Sequence, residues 1–169
     1  MKYLICALFL FIVVFSSKAQ FPKHVKVLDV ELNNTKILSG SLSEGKYVDL
    51  RFGMINTINC YTKEQKRFFD GHHVLYAFEV PADTKVLVEL ITRGDMSIYG
   101  YMIDSKSYNV PPYLEHVSKS GCASSFKPFG ELDRIMIKSG TIPMNVVVGV
   151  TGVDEANKGA FNLKITTRK

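Results

Sequence analysis

The chain has 169 residues, 46% of them hydrophobic and 22% charged, with 21 Lys and Arg against 16 Asp and Glu. This balance excludes a disordered, collagenous or disulfide-dense chain, and the length fits one domain. The formal net charge of +5 is mild.

The chain opens with an address. Met1 and Lys2 give a positive start, Leu4–Phe15 is an unbroken apolar run, and Ser17 and Ala19 supply the small-x-small pattern of a signal-peptidase site. A bilayer-spanning helix needs about 20 apolar residues, so residues 1–19 read as a signal peptide, cleaved after Ala19 to leave Gln20 in front. An uncleaved anchor is the alternative. A lipoprotein would need a Cys just after the apolar run, and Cys6 lies inside it. Cleavage removes Lys2 and Lys18, leaving 19 basic residues against 16 acidic. The remaining cations are scattered along the chain, with no cluster beyond Lys63–Arg67. No nucleic-acid partner is expected, nor stable membrane insertion once the signal is gone.

The segment 20–35 is read as an N-terminal strand or arm, and 36–169 as the folded domain. Asn33-Asn34-Thr35 is a glycosylation sequon. It makes Asn33 a glycan acceptor in a eukaryotic source and an unmodified turn otherwise. Strands are predicted at 25–32 and 36–42. Period-2 alternation continues in Val48-Leu50-Phe52, Val74-Tyr76-Phe78-Val80, Val86-Val88-Leu90 and Met96-Ile98-Gly100-Met102. Glu131–Lys138, Val-rich Asn145–Thr151 and Phe161-Leu163-Ile165 complete the series. Turn signals separate them at Ser43-Glu44-Gly45, Pro81-Ala82-Asp83, Arg93-Gly94-Asp95, Ser139-Gly140 and Asn157-Lys158-Gly159. Eight or nine short strands with regular turns make an all-β chain, a single antiparallel β-sandwich of jelly-roll type. The second face of several strands is also apolar, as at Leu87 and Ile91, which predicts cover on both sides.

Two stretches break the rhythm: Asn56–His73, holding Cys60, and Asp104–Gly130, holding Cys122. Both are read as long loops. In an exported chain the remaining Cys60 and Cys122 read as a disulfide. It would tie the two loops together and contribute roughly 4 kcal/mol on the chain-entropy model.

A run of motifs resembles the bacterial pre-peptidase C-terminal domain family, small secreted β-sandwiches appended to proteases. Ile37-Leu38-Ser39-Gly40-Ser41-Leu42 resembles its opening strand. Val74–Thr84 resembles its Y-x-F-x-V-P-A-G-T strand and turn, and Gly94-Asp95-Met96-Ser97-Ile98-Tyr99 its G-D-x-D-L-Y corner. Asn145–Val150 with Gly159–Ile165 resembles its closing hairpin. Asp83 replaces the usual Gly, and Ser97 the second Asp of the corner, which removes a carboxylate from any calcium site there. The resemblance implies a secreted, noncatalytic accessory or binding module, here standing alone behind a signal peptide.

Candidate chemistry is sparse. No cofactor and no metal site is expected: neither Cys has ligand spacing, His72 and His73 point to opposite faces of a strand, and His24 and His116 are remote. No nucleophile motif is present, so the chain is read as not an enzyme. The rival reading is a small secreted hydrolase whose site joins distant residues such as Asp70, His72, His73 and His116. Arg93-Gly94-Asp95 is the integrin-recognition triplet and an adhesion candidate, set at the position of the family's structural corner. Tyr99, Tyr101, Tyr108 and Tyr113 cluster, with Tyr99 and Tyr101 on one strand face, and form the candidate binding platform. The expected partner is an extracellular protein or a glycan.

Overall fold

The computed structural model describes residues 20–48, 65–111, 117–126 and 132–169, with side chains described outside 65–66 and 117–122. Ten strands run through them: β1 (Val25–Val27), β2 (Thr35–Ser41), β3 (Lys46–Tyr47), β4 (His72–Val80), β5 (Lys85–Thr92), β6 (Met96–Asp104), β7 (Val117–Phe126), β8 (Asp133–Lys138), β9 (Met144–Gly152) and β10 (Ala160–Arg168). The only helical turns among the described residues are 3-10 turns at Leu42–Glu44 and Gln65–Phe68. No helix among them is long and apolar enough to cross a membrane.

The strands form two sheets. One has the order β1-β4-β9-β6-β7, with β3 also on β4; the other has the order β2-β10-β5-β8. The period-2 pattern explains the packing. Val74, Tyr76, Phe78 and Val80 of β4 and Val146, Val148 and Val150 of β9 point inward. They meet Val86, Val88 and Leu90 of β5 and Phe161, Leu163 and Ile165 of β10 in one buried core. The chain is therefore the expected all-β sandwich.

Several details differ from expectation. β1 pairs with β4 in parallel, Val25 opposite Leu75, so the sheet is not wholly antiparallel. The ten strands among the described residues include the two-residue β3 and also β7, which lies inside the stretch read as a long loop; the strand expected at Val48-Leu50-Phe52 lies, beyond Val48, outside the described residues. The sequence of β7, Val-Ser-Lys-Ser-Gly-Cys-Ala-Ser-Ser-Phe, has no apolar alternation; it is an edge strand on β6, with a bulge between Tyr101 and Ile103. His72 and His73 belong to β4 rather than to a loop.

The outward face of the β4-β9-β6 region is covered as well. Leu75, Ala77, Tyr99, Tyr101, Ile103 and Val147 form a second cluster with Val48, Phe69 and Val110, and Phe21 and Phe68 pack on its margin. Double cover fails where it was read most directly, on β5: Ile91 is 49% exposed.

Candidate functional site

Tyr99 and Tyr101 do not form an open platform. They are 3% and 1% exposed, stacked with ring centroids 6.5 Å apart and nearly parallel. Their shared strand face is the one closed over by the second cluster. Phe69 meets Tyr99 edge-on at 6.1 Å. The Tyr101 hydroxyl has no hydrogen-bond partner among the described residues, and burial pushes its pKa well above the ordinary tyrosine value. Tyr113 lies outside the described residues.

Among the described members of the set, Tyr108 is the one that reaches a surface. It is half-buried, with its ring edge-on to Phe21 at 5.1 Å. It lines two grooves. One, of about 710 Å³, runs past Asp104, Lys106, Ile142 and Met144. The other, of about 430 Å³, runs past Phe21, Val27, Glu79 and Asn145. The loop that carries Tyr108 is held at several points. The Asp104 carboxylate accepts the Lys106 N–H at 2.8 Å, the local turn that an aspartate favours. The Asp104 carbonyl accepts the Ser107 N–H, also at 2.8 Å. Buried Asn145 on β9 donates its Nδ2 to the carbonyls of Ser105 (3.1 Å) and Ser107 (2.9 Å). An aromatic ring on a pinned loop between two grooves, with an acid and a base on one rim, suits recognition. Phe21 and Asn145 are the members that sequence reasoning missed. The Asp104-Ser105-Lys106 turn chemistry is the signal that marks the loop as ordered.

His72 and His73 both have hydrogen-bond partners. His73 is buried; its Nε2 donates to the Phe69 carbonyl at 3.1 Å, and its Nδ1 accepts from the Tyr99 hydroxyl at 2.8 Å. Burial lowers its pKa to about 4, so the ring is neutral at pH 7. His72 turns to the other side, Nδ1 to the Gly45 carbonyl at 3.1 Å. Asp70 accepts from the Tyr47 hydroxyl at 3.4 Å. The carboxylate and the imidazoles thus take separate partners, and His116 lies outside the described residues. His24 is also held below the ordinary histidine value, by desolvation and then by Lys46. Among the described residues no three His, Cys, Asp or Glu side chains gather. Ser97, at the corner position where the resemblance expects Asp, is buried and donates to the Phe68 carbonyl at 2.6 Å.

Arg93, Gly94 and Asp95 form the corner where the chain passes from β5 in one sheet to β6 in the other. Thr92 Oγ1 accepts the Gly94 N–H at 3.1 Å, and Asn157 Nδ2 donates to the Asp95 carbonyl at 2.6 Å. The corner is therefore capped by Thr92, with the Arg93 and Asp95 side chains exposed. Asn33 sits in an exposed turn at φ 57°, its side-chain oxygen accepting the Lys169 N–H at 3.1 Å. Cys122 lies in β7, its backbone opposite Tyr101, and Cys60 is outside the described residues. The signal segment, residues 1–19, is outside them as well.

No protein-family model matches the chain, and no curated protein matches it. Among solved structures, the pre-peptidase C-terminal domain of collagenase from Bacillus anthracis aligns with 88% of this chain and 99% of its own, at 11% identity and a TM-score of 0.38. It is a domain of the type that the Ile37–Leu42, Val74–Thr84 and Gly94–Tyr99 motifs resemble.

Proposed function

We propose that the protein is an exported, noncatalytic binding module that holds an extracellular protein or glycan in the grooves flanking Tyr108. The observation that carries this reading is the placement of Tyr108 on a loop pinned by Asn145, lining grooves of about 710 and 430 Å³ at once. An aromatic anchor with a polar rim is the usual centre of a recognition surface. Pinning the loop before binding reduces the ordering cost of association. The signal-like residues 1–19 support export, and a Cys60–Cys122 bond would tie β7 to the stretch that carries Cys60.

The test is a pull-down from the native extracellular milieu, followed by titration of the captured partner. Tyr108→Ala is expected to weaken capture at least ~10-fold, whereas Tyr47→Ala, at an exposed tyrosine away from the grooves, leaves it unchanged. Equal capture by wild type and Tyr108→Ala ends the reading. Intact mass of the exported protein reports cleavage after Ala19. Peptide mapping without reductant reports the Cys60–Cys122 pair; two freely alkylated thiols would exclude it.

The exposed Arg93 and Asp95 side chains on a pinned corner support a second reading, an adhesion ligand. Cell attachment abolished by Asp95→Glu and retained by Tyr108→Ala would select it over the groove.

A further inference from the structure

The cations look scattered along the chain, but sheet register gathers five of them. In the β2-β10-β5-β8 sheet, Arg168 lies opposite Lys85, and Lys85 opposite Lys138. These three point outward, because Val86, Ile137 and Thr167 beside them point into the sandwich. All three are exposed, in one row across three strands, with no acid in the row. Neighbouring strands are about 4.8 Å apart, and like charges directly opposite destabilise a sheet. A row that breaks the pairing rule is a place to look for a ligand of opposite charge.

Two rows along, Lys164 lies opposite Glu89 and Glu89 opposite Arg134. Lys164 Nζ reaches Glu89 at 2.8 Å and Arg134 reaches it at 3.0 Å. Glu89 is the one acid among the outward positions of these four strands, so it balances one cation and leaves four. Between and beside the charged rows stand apolar side chains facing water. Met136 is 67% exposed, Ile37 66% and Ile91 49%, with Leu87 half-buried opposite Met136. The Tyr108 grooves are lined by other residues and lie elsewhere.

A sheet face that mixes unpaired cations with projecting aliphatic tips fits an anionic bilayer. Its headgroups take the cations, and its interface takes Met136, Ile37 and Ile91. A soluble polyanion would use the cations and leave the apolar tips without purpose. We infer that the outer face of the β2-β10-β5-β8 sheet is a peripheral docking surface for anionic phospholipid membranes, distinct from the Tyr108 grooves. The mode is adsorption, with no chain segment crossing the bilayer.

The test is co-sedimentation of the purified protein with phosphatidylcholine vesicles, with and without phosphatidylglycerol. Wild type is expected to sediment only with the anionic vesicles, and less as salt rises past about 0.15 M. Lys85→Glu/Lys138→Glu is expected to lose ~30-fold or more in partition. The milder Lys85→Gln/Lys138→Gln serves if the charge-reversed protein does not fold, as judged by near-UV circular dichroism. Ile37→Ser/Met136→Ser is expected to lose several-fold, and Tyr108→Ala nothing, which keeps this surface separate from the groove. Absence of wild-type binding overturns the inference, as does binding unchanged in both double variants. A charge-dependent interaction that Ile37→Ser/Met136→Ser leaves intact, and that double-stranded DNA or heparin displaces, overturns it in favour of a soluble polyanion.

Discussion

Tyr99 on β6 donates its hydroxyl to His73 Nδ1 on β4 at 2.8 Å, across the intervening strand β9. The span is open because Gly149 lies opposite Tyr99 in register, and a Cβ on residue 149 would fall on the Tyr99 ring. Two substitutions follow. Gly149→Ala is expected to cost about 3 kcal/mol, since strand backbone and a buried ring must both shift. Tyr99→Phe keeps the ring and leaves Nδ1 without its donor, at a cost of roughly 1–3 kcal/mol. Urea unfolding measures both. A Gly149→Ala protein as stable as wild type would show that the ring does not lie over β9.

Stability should depend on pH through the same histidine. The folded pKa of His73, about 4, lies below its ordinary 6.5, so the unfolded chain binds the extra proton between these values. The contribution is whole above pH 6.5 and shrinks as the pH falls toward 4, by up to roughly 3 kcal/mol. His73→Gln should flatten that part of the profile while lowering overall stability. An unchanged slope in the variant would place the proton uptake elsewhere.

The buried hydroxyls of Tyr101 and Tyr76 lack partners among the described residues, and burial pushes the Tyr76 pKa up to about 12. A buried polar atom left unmet costs free energy that its removal returns. Tyr101→Phe and Tyr76→Phe should therefore be neutral or stabilising by up to about 1 kcal/mol, opposite in sign to Tyr99→Phe. Thermal denaturation of the three Phe variants, side by side, reads the contrast.

Asp83 has a φ of 56°, in the left-handed region that glycine occupies most readily. Aspartate tolerates this left-handed region better than a β-branched residue does. Asp83→Gly is expected within about 0.5 kcal/mol of wild type, and Asp83→Val to lose roughly 1–2 kcal/mol. Equal stability of all three proteins would show that the turn relaxes to another conformation.

Period-2 alternation located β4, β5, β6, β9 and β10 to within about two residues because their inner faces are almost wholly apolar, with Gly100 the one gap on β6. It was blind to β7, whose small and polar side chains reflect an edge strand with one neighbour. Alternation also placed Tyr99 and Tyr101 on a common face, but a strand's own sequence does not say what covers that face. The cover comes from Phe69 and Val110, with Phe21 at its margin, far apart along the chain. Tyr108 was legible as an aromatic in a polar loop; its anchor, Asn145, read only as part of a Val-rich strand. Lys85, Lys138 and Arg168 look unrelated until register aligns them.

The place of β10 bears on when the molecule becomes a molecule. It comes last of the ten strands, yet it sits between β2 and β5. Its pairing with β2 joins Thr35 to Thr166, a hydroxyl contact of 3.0 Å across 131 residues of sequence. The β2-β10-β5-β8 sheet thus cannot close until the chain has been made through β10. Chains whose pairings are this distant fold late and slowly. On the export route proposed above, that delay would keep the chain linear during passage, so that the closing strand arrives on the far side.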